Sequence, residues 1–377
     1  MVDLNLQIKV LHVYKTYFPF TQGGIEEVIK QVCRATTRLG VNNKVICISA
    51  HCKKKEIFET PDATVHCYPL SFEIASCGFS WSLWRDFKYL SDWADIIHYQ
   101  FPWPFADMMA LLRQRKSKPY IVSYQSDIVR QYGYYKFYKP LMNVFLSNAA
   151  TVVATSQKYI TSSLVLNNLK KPAVIIPNGI DCEPDPNSYQ KEKEEYEKLF
   201  GRDFFLFLGV FRYYKGLNYL LEAAKKSGLT IVIAGDGPGA DVLHRFVKKN
   251  GLTNVHFLGR VSEQQKYALI DNSKAFVLPS SERSEAYGMV LLEAARQGKA
   301  MISTELETGT SYINAHNETG LVVSPKNATE LATAMEYMAV NDHEVNLMST
   351  SAKRRFKKHF TAEKMGERYL ELYQSLL

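Results

Sequence analysis

The stretch VLPSSERSEAYGMVLLEAARQGKAMIS, residues 277–303, decides the fold. It passes from a short apolar run through a polar loop into a helical pattern, and then into a second apolar run. Short apolar runs separated by a helix are typical of parallel strands that are buried on both faces. The stretch therefore indicates one strand–helix–strand unit of an α/β sheet.

The same alternation continues along the chain in both directions. Predicted strands lie at residues 8–13, 44–49, 65–70, 95–99, 120–123, 151–154 and 173–176, and at 204–208, 230–234, 255–257, 275–278 and 300–303. Helix-length segments separate them, such as 25–39, 217–226 and 240–250. The pattern predicts an α/β chain with two doubly wound, Rossmann-like sheets.

The length of 377 residues exceeds what one core usually holds, so we expect two domains. After VIIPNGID comes CEPDPNSYQKEKEEYEKLFGRD, which has the Pro/Asp turn and the charged character of a linker. We therefore predict an N-terminal domain at 1–182 and a second domain at 183–359. The last segment, 360–377, reads as an amphipathic helix that Thr361 caps.

Composition narrows the class of protein. Hydrophobic residues make up 46% and charged residues 22% of the chain, the profile of a folded soluble protein. The longest apolar runs fall short of the roughly 18 residues of a membrane span, and the N-terminus reads as a first strand, not a signal peptide. Six scattered cysteines without a CxxC pair suggest reduced thiols, so a cytoplasmic location is expected.

The net charge of +8 is distributed unevenly. Residues 1–180 hold 21 Lys/Arg and 12 Asp/Glu, a net charge of +9, whereas the remainder holds 25 and 26, a net charge of −1. Nucleic acid, an anionic membrane surface and a phosphorylated substrate would all suit a basic first half. A basic surface that only maintains solubility is an equally good interpretation.

Two acids in the opening stretch are candidates for ligand contacts. Glu285 lies in the loop, and Glu293 lies in a helix among apolar residues. A buried carboxylate is costly without a partner, and its two oxygens accept hydrogen bonds from sugar or ribose hydroxyls. Gly288 and Met289 lie at the helix start, where backbone N–H groups are free. The pattern indicates a nucleotide ribose as the partner of Glu293.

Loops after other predicted strands carry cations and glycines. Arg212 and Lys215, in FLFLGVFRYYKGL, offer donors suited to a diphosphate, at a helix end that disfavours cations. Gly23 and Gly24 precede a helix, where an anion can approach the backbone, although a simple turn is equally consistent. This glycine pair is not a GxGxxG motif, so a dinucleotide is not indicated.

Taken together, SEAYGMVLLEAARQG with its E-x7-E spacing, GVFRYYKG and AGDGPG resemble glycosyltransferase family 4. The resemblance covers nearly the whole chain, and FRYYKGL, SYQSDIV and PNGI are most similar to mannosyltransferases of bacterial surface-polysaccharide (O-antigen, lipopolysaccharide) synthesis. It implies the GT-B fold, with two Rossmann-like domains facing across a cleft and the C-terminal helix crossing back to the N-terminal domain. It also implies a retaining, metal-independent hexosyltransferase that uses a nucleotide sugar.

On this resemblance, the second domain binds the donor and the first binds the acceptor. Glu293 would hold the ribose and Glu285 the donor sugar, while Arg212 and Lys215 neutralise the diphosphate and Gly23 and Gly24 approach it. Gly288 and Met289 would contribute N–H groups, and the LGRVSEQQ loop, at Val261, a backbone contact to a guanine base. The implied donor is GDP-mannose, and no metal site is expected.

Three positions depart from the family pattern. Many relatives carry Arg where Val210 stands in GVFRYYKG, and Arg212 lies two residues on, where a continuing strand would point it to the same face. Relatives commonly carry His where Gln125 stands in SYQSDIV, and Gln100 in HYQFPWP differs in the same way. Gln can form hydrogen bonds but cannot titrate. We expect Gln125 or nearby Asp127 to orient the acceptor while the leaving phosphate takes the acceptor proton, in a front-side transfer.

The acceptor is expected to be a lipid-diphosphate-linked oligosaccharide at the cytoplasmic face of the inner membrane. The segment RQYGYYKFYKPLMNVFL, rich in Tyr, Phe and Lys, suits a bilayer interface as well as it suits a packed helix with a basic side. Rival interpretations are a UDP-sugar-dependent enzyme of the same fold, a non-hydrolysing sugar-nucleotide epimerase and a sugar-binding module. A nucleic-acid partner is not expected, because it would leave the E-x7-E stretch unexplained.

Overall fold

The computed structural model of the protein describes residues 7–114, 117–128, 132–181 and 184–377, with residues 132–134 described by their backbone alone. The chain divides into two compact units. Unit 1 comprises Met1–Asp181 and Ala362–Leu377, and unit 2 comprises Cys182–Thr361. The predicted domain boundary at residues 182 and 183 lies outside the described residues.

Unit 1 is built around a sheet whose described strands follow the order β10-β9-β8-β7-β1-β2-β4-β3. All of these strands pair in parallel except β3, which runs antiparallel to β4. A separate hairpin joins β5 to β6. The elements, in chain order, are β1 (Lys9–Val13), α1 (Gly24–Thr37), β2 (Asn42–Ser49), β3 (Glu56–Glu59), β4 (Thr64–Pro69), β5 (Phe72–Ile74), β6 (Cys77–Phe79), α2 (Trp81–Trp93), β7 (Ile96–Phe101), α3 (Pro104–Leu112), β8 (Tyr120–Tyr124), α4 (Tyr132–Asn148), β9 (Thr151–Ala154), α5 (Gln157–Ser162), α6 (Leu164–Asn167) and β10 (Val174–Ile175).

Unit 2 contains a sheet of parallel strands in the order β13-β12-β11-β14-β15-β16. Its central strands are apolar on both faces and buried along their whole length, because helices cover both sides. The elements are α7 (Gln190–Phe200), β11 (Phe205–Leu208), α8 (Leu217–Ser227), β12 (Ile231–Ala234), α9 (Ala240–Asn250), β13 (Val255–Gly259), α10 (Glu263–Asn272), β14 (Ala275–Leu278), α11 (Met289–Arg296), β15 (Met301–Thr304), α12 (Thr310–Ile313), β16 (Gly320–Val323), α13 (Ala328–Val340) and α14 (Asp342–His359).

The last helix, α15 (Ala362–Gln374), belongs to unit 1, as predicted. Its first backbone N–H, from Ala362, donates to the carbonyl of Ile180 at 2.8 Å. The helix packs so closely on α1 that a Cβ atom on Gly366 would lie 2.6 Å from the Cβ of Ala35. Tyr369 and Tyr373 are buried and form hydrogen bonds with strands β8 and β7. Close packing and buried hydroxyl bonds therefore hold the end of the chain on unit 1.

The predicted α/β class is confirmed, and each predicted strand corresponds to an observed one within a few residues. Strands β3, β5, β6 and β16 were missing from the prediction. β3 has the sequence EIFE and lies at the sheet edge, where one face stays in water and the apolar signal is weak. β5 and β6 have three residues each, too few to show a period.

The strand order fixes where loops can form a site. In unit 1 the order reverses between β1 and β7, and in unit 2 it reverses between β11 and β14. Ligands of open parallel sheets bind outside the carboxyl ends of the strands at such a point. The loops after β1, β7, β11 and β14 are therefore the places to examine. None of the helices in the described ranges has the length and apolar composition of a membrane span.

Candidate active site

The loops after β11 and β14 contact each other directly in unit 2. The N–H of Ser281 donates to the carbonyl of Tyr214 at 2.7 Å. Gly216 adopts a φ of +70°, and a Cβ atom there would lie 1.9 Å from the carbonyl oxygen of Pro279. Only glycine permits both this conformation and this approach. The two loops therefore form one surface at the switch point of the sheet.

Lys215 and Glu285 form an ion pair on this surface. The Lys215 Nζ lies 2.5 Å from Oε2 of Glu285, and the side chains are 12% and 9% exposed. The hydroxyl of Ser280 donates to the same oxygen at 2.9 Å. Burial by itself would lower the pKa of Lys215, but the Glu285 carboxylate outweighs burial and raises that pKa above its ordinary value. The lysine therefore stays charged, and Oε1 of Glu285 has no partner in the described part of the chain.

Arg212 lies at the start of the same loop and is exposed. Its backbone is extended, with φ −98° and ψ 152°, and its carbonyl accepts the N–H of Lys215 at 3.0 Å. Its positive charge lies near enough to oppose protonation of Lys215. The loop therefore brings two cations together, one largely buried and paired, the other in solvent.

Helix α11 begins at this surface without a side-chain cap. Gly288 precedes the helix with a φ of +85°, and Met289 is its first residue. The N–H of Leu291 bonds back to the Gly288 carbonyl at 2.8 Å. Among the described residues, no acceptor lies opposite the N–H groups of Gly288, Met289 and Val290. These N–H groups and the helix dipole favour an anion at this end.

Glu293 has a partner within the protein, in addition to the ribose that the sequence indicates as its ligand. Lys266 of α10 donates to Oε1 of Glu293 at 2.9 Å and lies 2.9 Å from an oxygen of Glu263. Burial by itself would lower the pKa of Lys266, but the two acids raise it above its ordinary value. The sequence argument missed this pair because Lys266 is 27 residues away, on a different helix. The Glu293 side chain keeps 18% exposure, and Oε2 has no described partner.

Val261 lies just before helix α10 and is half-buried. Ser262 caps this helix by accepting the N–H of Gln265 at 3.2 Å, and the Gln265 side chain accepts the N–H of Ser262 at 2.9 Å. This capping box fixes the loop that carries Val261. The same helix holds Lys266, so the loop and the Glu293 pair share one rigid support.

In unit 1, Gly23 and Gly24 open helix α1 at the carboxyl end of β1. The carboxylate of Glu26 folds back over Gly23, and a Cβ atom on Gly23 would lie 2.6 Å from its Oε2. Glu26 is buried, and Glu27 is a second acid in the first turn. The backbone of Gly23 is extended, with a φ of −162°, so a side chain at this position would require only that the flexible end of Glu26 move.

Gln100 and Gln125 lie at the carboxyl ends of the neighbouring strands β7 and β8. The Nε2 of Gln125 donates to Oε1 of Gln100 at 2.7 Å, and both residues are buried. Oδ1 of Asp127 accepts hydrogen bonds from Tyr124 at 2.9 Å and from Ser163 at 2.6 Å. Asp127 thus supports the local structure, whereas the two glutamines form a pair at the sheet edge.

The aromatic segment suggested for a membrane surface corresponds to helix α4. Residues 130 and 131 and the side chains of 132–134 lie outside the described residues. Met142, Phe145 and Leu146 are buried, whereas Lys136, Phe137, Lys139 and Val144 are exposed. Phe137 is 88% exposed. The described helix therefore buries one apolar side and exposes lysines and apolar residues on the other.

Comparison with known proteins places this geometry in a family. The model for glycosyltransferase family 4 matches residues 22–184, and the model for glycosyl transferases group 1 matches residues 188–355. The chain is 42% identical to the D-rhamnosyltransferase WbpZ of Pseudomonas aeruginosa, over 94% of this chain and 93% of that protein. It is 39% identical to O-antigen chain mannosyltransferase C of Escherichia coli, over 98% of this chain and 99% of that protein.

Solved structures agree on the fold. Sucrose-phosphate synthase from Thermosynechococcus elongatus superposes with a TM-score of 0.81 at 18% identity, covering 98% of this chain and 99% of that one. HepE of Anabaena, solved with UDP-glucose, superposes with a TM-score of 0.76 at 16% identity, covering 98% and 100%. The fold and these matches define a glycosyltransferase with the GT-B architecture. The chain belongs to glycosyltransferase family 4, whose members use nucleotide-sugar donors.

Three polar residues around the acids were not predicted. Lys266 pairs with Glu293, Ser280 donates to the Glu285 carboxylate, and Thr308 donates to the Glu285 carbonyl at 2.8 Å. A Glu–Lys pair three residues apart at the start of α10 is the signal that could have indicated Lys266. In the described ranges, no group of three or more His, Cys, Asp or Glu side chains is placed to hold a metal ion.

Proposed function

We propose that the protein is a retaining hexosyltransferase that moves mannose from GDP-mannose onto a lipid-diphosphate-linked glycan during O-antigen synthesis. Support for the sugar and the pathway comes from the mannosyltransferase relative, which aligns over nearly its whole length. Support for a nucleotide-sugar diphosphate comes from the cations and open N–H groups of unit 2. The proposed reaction needs no metal, because these groups supply positive charge where a metal would otherwise act.

The Lys215–Glu285 pair is the observation that carries this proposal. A largely buried, paired lysine beside an uncapped helix start forms an electrostatic environment that is already organised before an anion arrives. As the bond to the anomeric carbon breaks, negative charge grows on the diphosphate. Lys215 and the exposed Arg212 would stabilise that charge, and Oε1 of Glu285 would accept a donor-sugar hydroxyl.

Glu293 is proposed to bind the ribose although Lys266 already contacts it. The lysine uses Oε1, so Oε2 keeps two lone pairs for the vicinal hydroxyls. Lys266 also keeps the carboxylate ionised and fixes its rotamer, so less entropy is lost when a ribose binds. Met289 and Gly288 would bind the diphosphate through their N–H groups, and Val261 would contact the base through its backbone.

In unit 1, Gly23 and Gly24 are proposed to approach the diphosphate, and Gln125 to orient the sugar that reacts. Asp127 is a weaker candidate for this role, because Tyr124 and Ser163 already bond to its Oδ1. Transfer would proceed on one face of the sugar, with the leaving phosphate oxygen taking the proton of the acceptor hydroxyl. The proton and the departing charge then end on the same group.

A second donor is favoured by the 42% identity to a D-rhamnosyltransferase. D-Rhamnose is the 6-deoxy form of D-mannose, so the two donors differ only by one hydroxyl group. A site that forms a hydrogen bond with this hydroxyl would reject the deoxy sugar. Parallel assays with GDP-mannose and GDP-D-rhamnose, with products identified by mass spectrometry, would distinguish them.

Calorimetric titration of nucleotides tests the donor site. We expect GDP and GDP-mannose to bind more tightly than UDP and UDP-glucose. Glu293→Ala should weaken donor binding by about 10- to 100-fold, because a charged hydrogen-bond acceptor is lost. Glu336→Ala, which removes an exposed acid from α13, is the matched control and should change nothing. Unchanged donor binding in Glu293→Ala would refute the ribose assignment, and turnover of a nucleotide sugar without acceptor would favour an epimerase.

The exposed side of α4 is proposed to rest on the cytoplasmic face of an anionic membrane, where a lipid-linked acceptor resides. Lys136 and Lys139 would attract anionic headgroups, while Phe137 and Val144 would enter the interface. The net charge of +9 in residues 1–180 adds to the attraction. Attachment would place unit 1 beside its acceptor.

Co-sedimentation with vesicles tests this attachment. The protein should bind vesicles that contain phosphatidylglycerol and release from them at high salt, with little binding to phosphatidylcholine alone. Phe137→Ser should reduce binding several-fold. Val340→Ser is the control, because Val340 is 81% exposed but lies in unit 2. Equal binding by both variants, or none by the wild type at low salt, would contradict the proposed attachment.

A further inference from the structure

A chain of buried polar side chains runs through unit 1 and ends at Gln125. Gln125 Nε2 donates to Gln100 Oε1 at 2.7 Å, and Gln100 Nε2 lies 3.3 Å from Nε2 of His98. Nδ1 of His98 lies 2.9 Å from the Tyr373 hydroxyl, on the C-terminal helix α15. All four residues are buried. The chain therefore links the last helix to the sheet edge that carries Gln125.

The hydrogen bonds along this chain all point the same way. An amide nitrogen only donates, so Gln100 Nε2 requires a lone pair on Nε2 of His98. The proton of the neutral ring then lies on Nδ1 and donates to Tyr373. Burial, together with the neighbouring His12, lowers the pKa of His98 well below its ordinary value, so the ring is neutral. Each donor is thus directed away from Gln125 and into unit 1.

A side branch agrees with this direction. The Ser123 hydroxyl lies 2.7 Å from the same Nε2 of His98 and 2.9 Å from the Tyr369 hydroxyl. Nε2 of His98 has one lone pair, so the Ser123 hydroxyl and the Gln100 amide share it, while Ser123 accepts a hydrogen bond from Tyr369. The ring orientation is therefore fixed from both sides by groups on β8 and α15.

We propose that Gln100, His98 and Tyr373 position Gln125 so that its carbonyl oxygen faces the substrate, as an acceptor that reads one sugar hydroxyl. This inference rests on the proposed function. One of the two N–H groups of Gln125 Nε2 donates to Gln100, which fixes the plane of the amide, and Oε1 has no partner in the described part of unit 1. A hydroxyl donates to this oxygen, whereas a methylene group or fluorine does not.

The position of the proton on His98 provides a test that needs no substrate. In ¹⁵N-histidine-labelled protein, NMR should show the His98 ring with a proton on Nδ1 and a bare Nε2, the signal being assigned by its loss in His98→Asn. Tyr373→Phe removes the acceptor of the Nδ1 proton and should shift the ring toward the other tautomer. A wild-type ring with its proton on Nε2 would reverse the chain and overturn the inference, even with sugar transfer intact.

Substrate analogues test what Gln125 reads. GDP-mannose analogues in which each sugar hydroxyl is replaced in turn by hydrogen or fluorine are compared by kcat/KM. At one position both replacements should lower kcat/KM by about tenfold, since one hydrogen bond is lost. In Gln125→Ala, the parent and these two analogues should react equally. Retained activity of the fluorine analogue alone would mean that Gln125 donates, and would overturn the inference.

Variants of Gln100 separate positioning from packing. Gln100→Glu keeps an acceptor for Gln125 Nε2, so the loss of kcat/KM at the same hydroxyl should persist. Gln100→Leu frees the Gln125 amide, so the ratio of kcat/KM between the parent and the analogues at that hydroxyl should fall several-fold. The melting temperature reports any loss of packing. Equal discrimination in both variants would refute the positioning role. Absence of transfer from every nucleotide sugar would refute the proposed function, and with it the substrate role of Gln125, and the NMR result would still decide the direction of the chain.

Discussion

Replacing Lys215 by Met should destabilise unit 2 through the acid that it leaves behind. Glu285 is buried, and its Oε2 would keep only the Ser280 hydroxyl as a partner. Breaking a buried ion pair by removing one member costs about 3–5 kcal/mol. We expect about 3 kcal/mol here, because the Ser280 hydrogen bond remains. For a unit of this size, that corresponds to a decrease of about 6–12 °C in melting temperature.

The distribution of tryptophan allows the two units to be followed separately. All four tryptophans lie in unit 1, at positions 81, 84, 93 and 103. Intrinsic fluorescence therefore reports unfolding of unit 1, whereas far-UV circular dichroism reports both units. Lys215→Met should lower the circular-dichroism midpoint in urea while the fluorescence midpoint stays close to that of the wild type.

A double variant tests the cause of the loss. Lys215→Met combined with Glu285→Leu should recover at least half of the lost stability, because no unpaired charge remains buried. If Lys215→Met alone costs less than about 1 kcal/mol, the pair behaves like an exposed one. That result, or a double variant less stable than Lys215→Met, would refute the reasoning.

Three further predictions concern pH, backbone conformation and ligand. Burial raises the pKa of Asp107 to about 8 despite the hydrogen bond from Tyr138, so the folded chain holds an extra proton between about pH 4 and 8. Across that window this group should lower the free energy of unfolding by about 1.4 kcal/mol per pH unit as pH rises, with no further change above it. The free energy of unfolding of the wild type minus that of Asp107→Asn, followed by fluorescence, should fall with this slope as pH rises. A difference that does not change with pH would contradict the prediction. Gly216→Ala should lower the free energy of unfolding by more than about 3 kcal/mol, because its Cβ would meet Pro279. Gly228→Ala, with positive φ but open space around it, should lower it by about 1–2 kcal/mol. Equal urea midpoints for the two variants would contradict this prediction. GDP at about 100 times its Kd should stabilise unit 2 by about 2.7 kcal/mol, and an unchanged circular-dichroism midpoint at that concentration would exclude binding to the folded unit.

Sequence periodicity determined the α/β class, the principal strands and the loops in which ligand-binding residues would lie. These features depend on local physics, because a buried parallel strand needs a short apolar run and its loop follows at a fixed place. The prediction that Arg212 and Lys215 share one loop needed no tertiary information. Neither did the placement of Glu293 on a helix that begins near Gly288.

The tertiary structure alone decided which atoms meet. Lys266 contacts Glu293, and Gln100 contacts Gln125, across 27 and 25 residues of chain. Such pairs depend on strand register, helix rotation and rotamer, and these are fixed by the packing of the whole unit rather than by neighbours in sequence. For the same reason the sequence showed an acid among apolar residues, in need of a partner, but not the lysine that stabilises it.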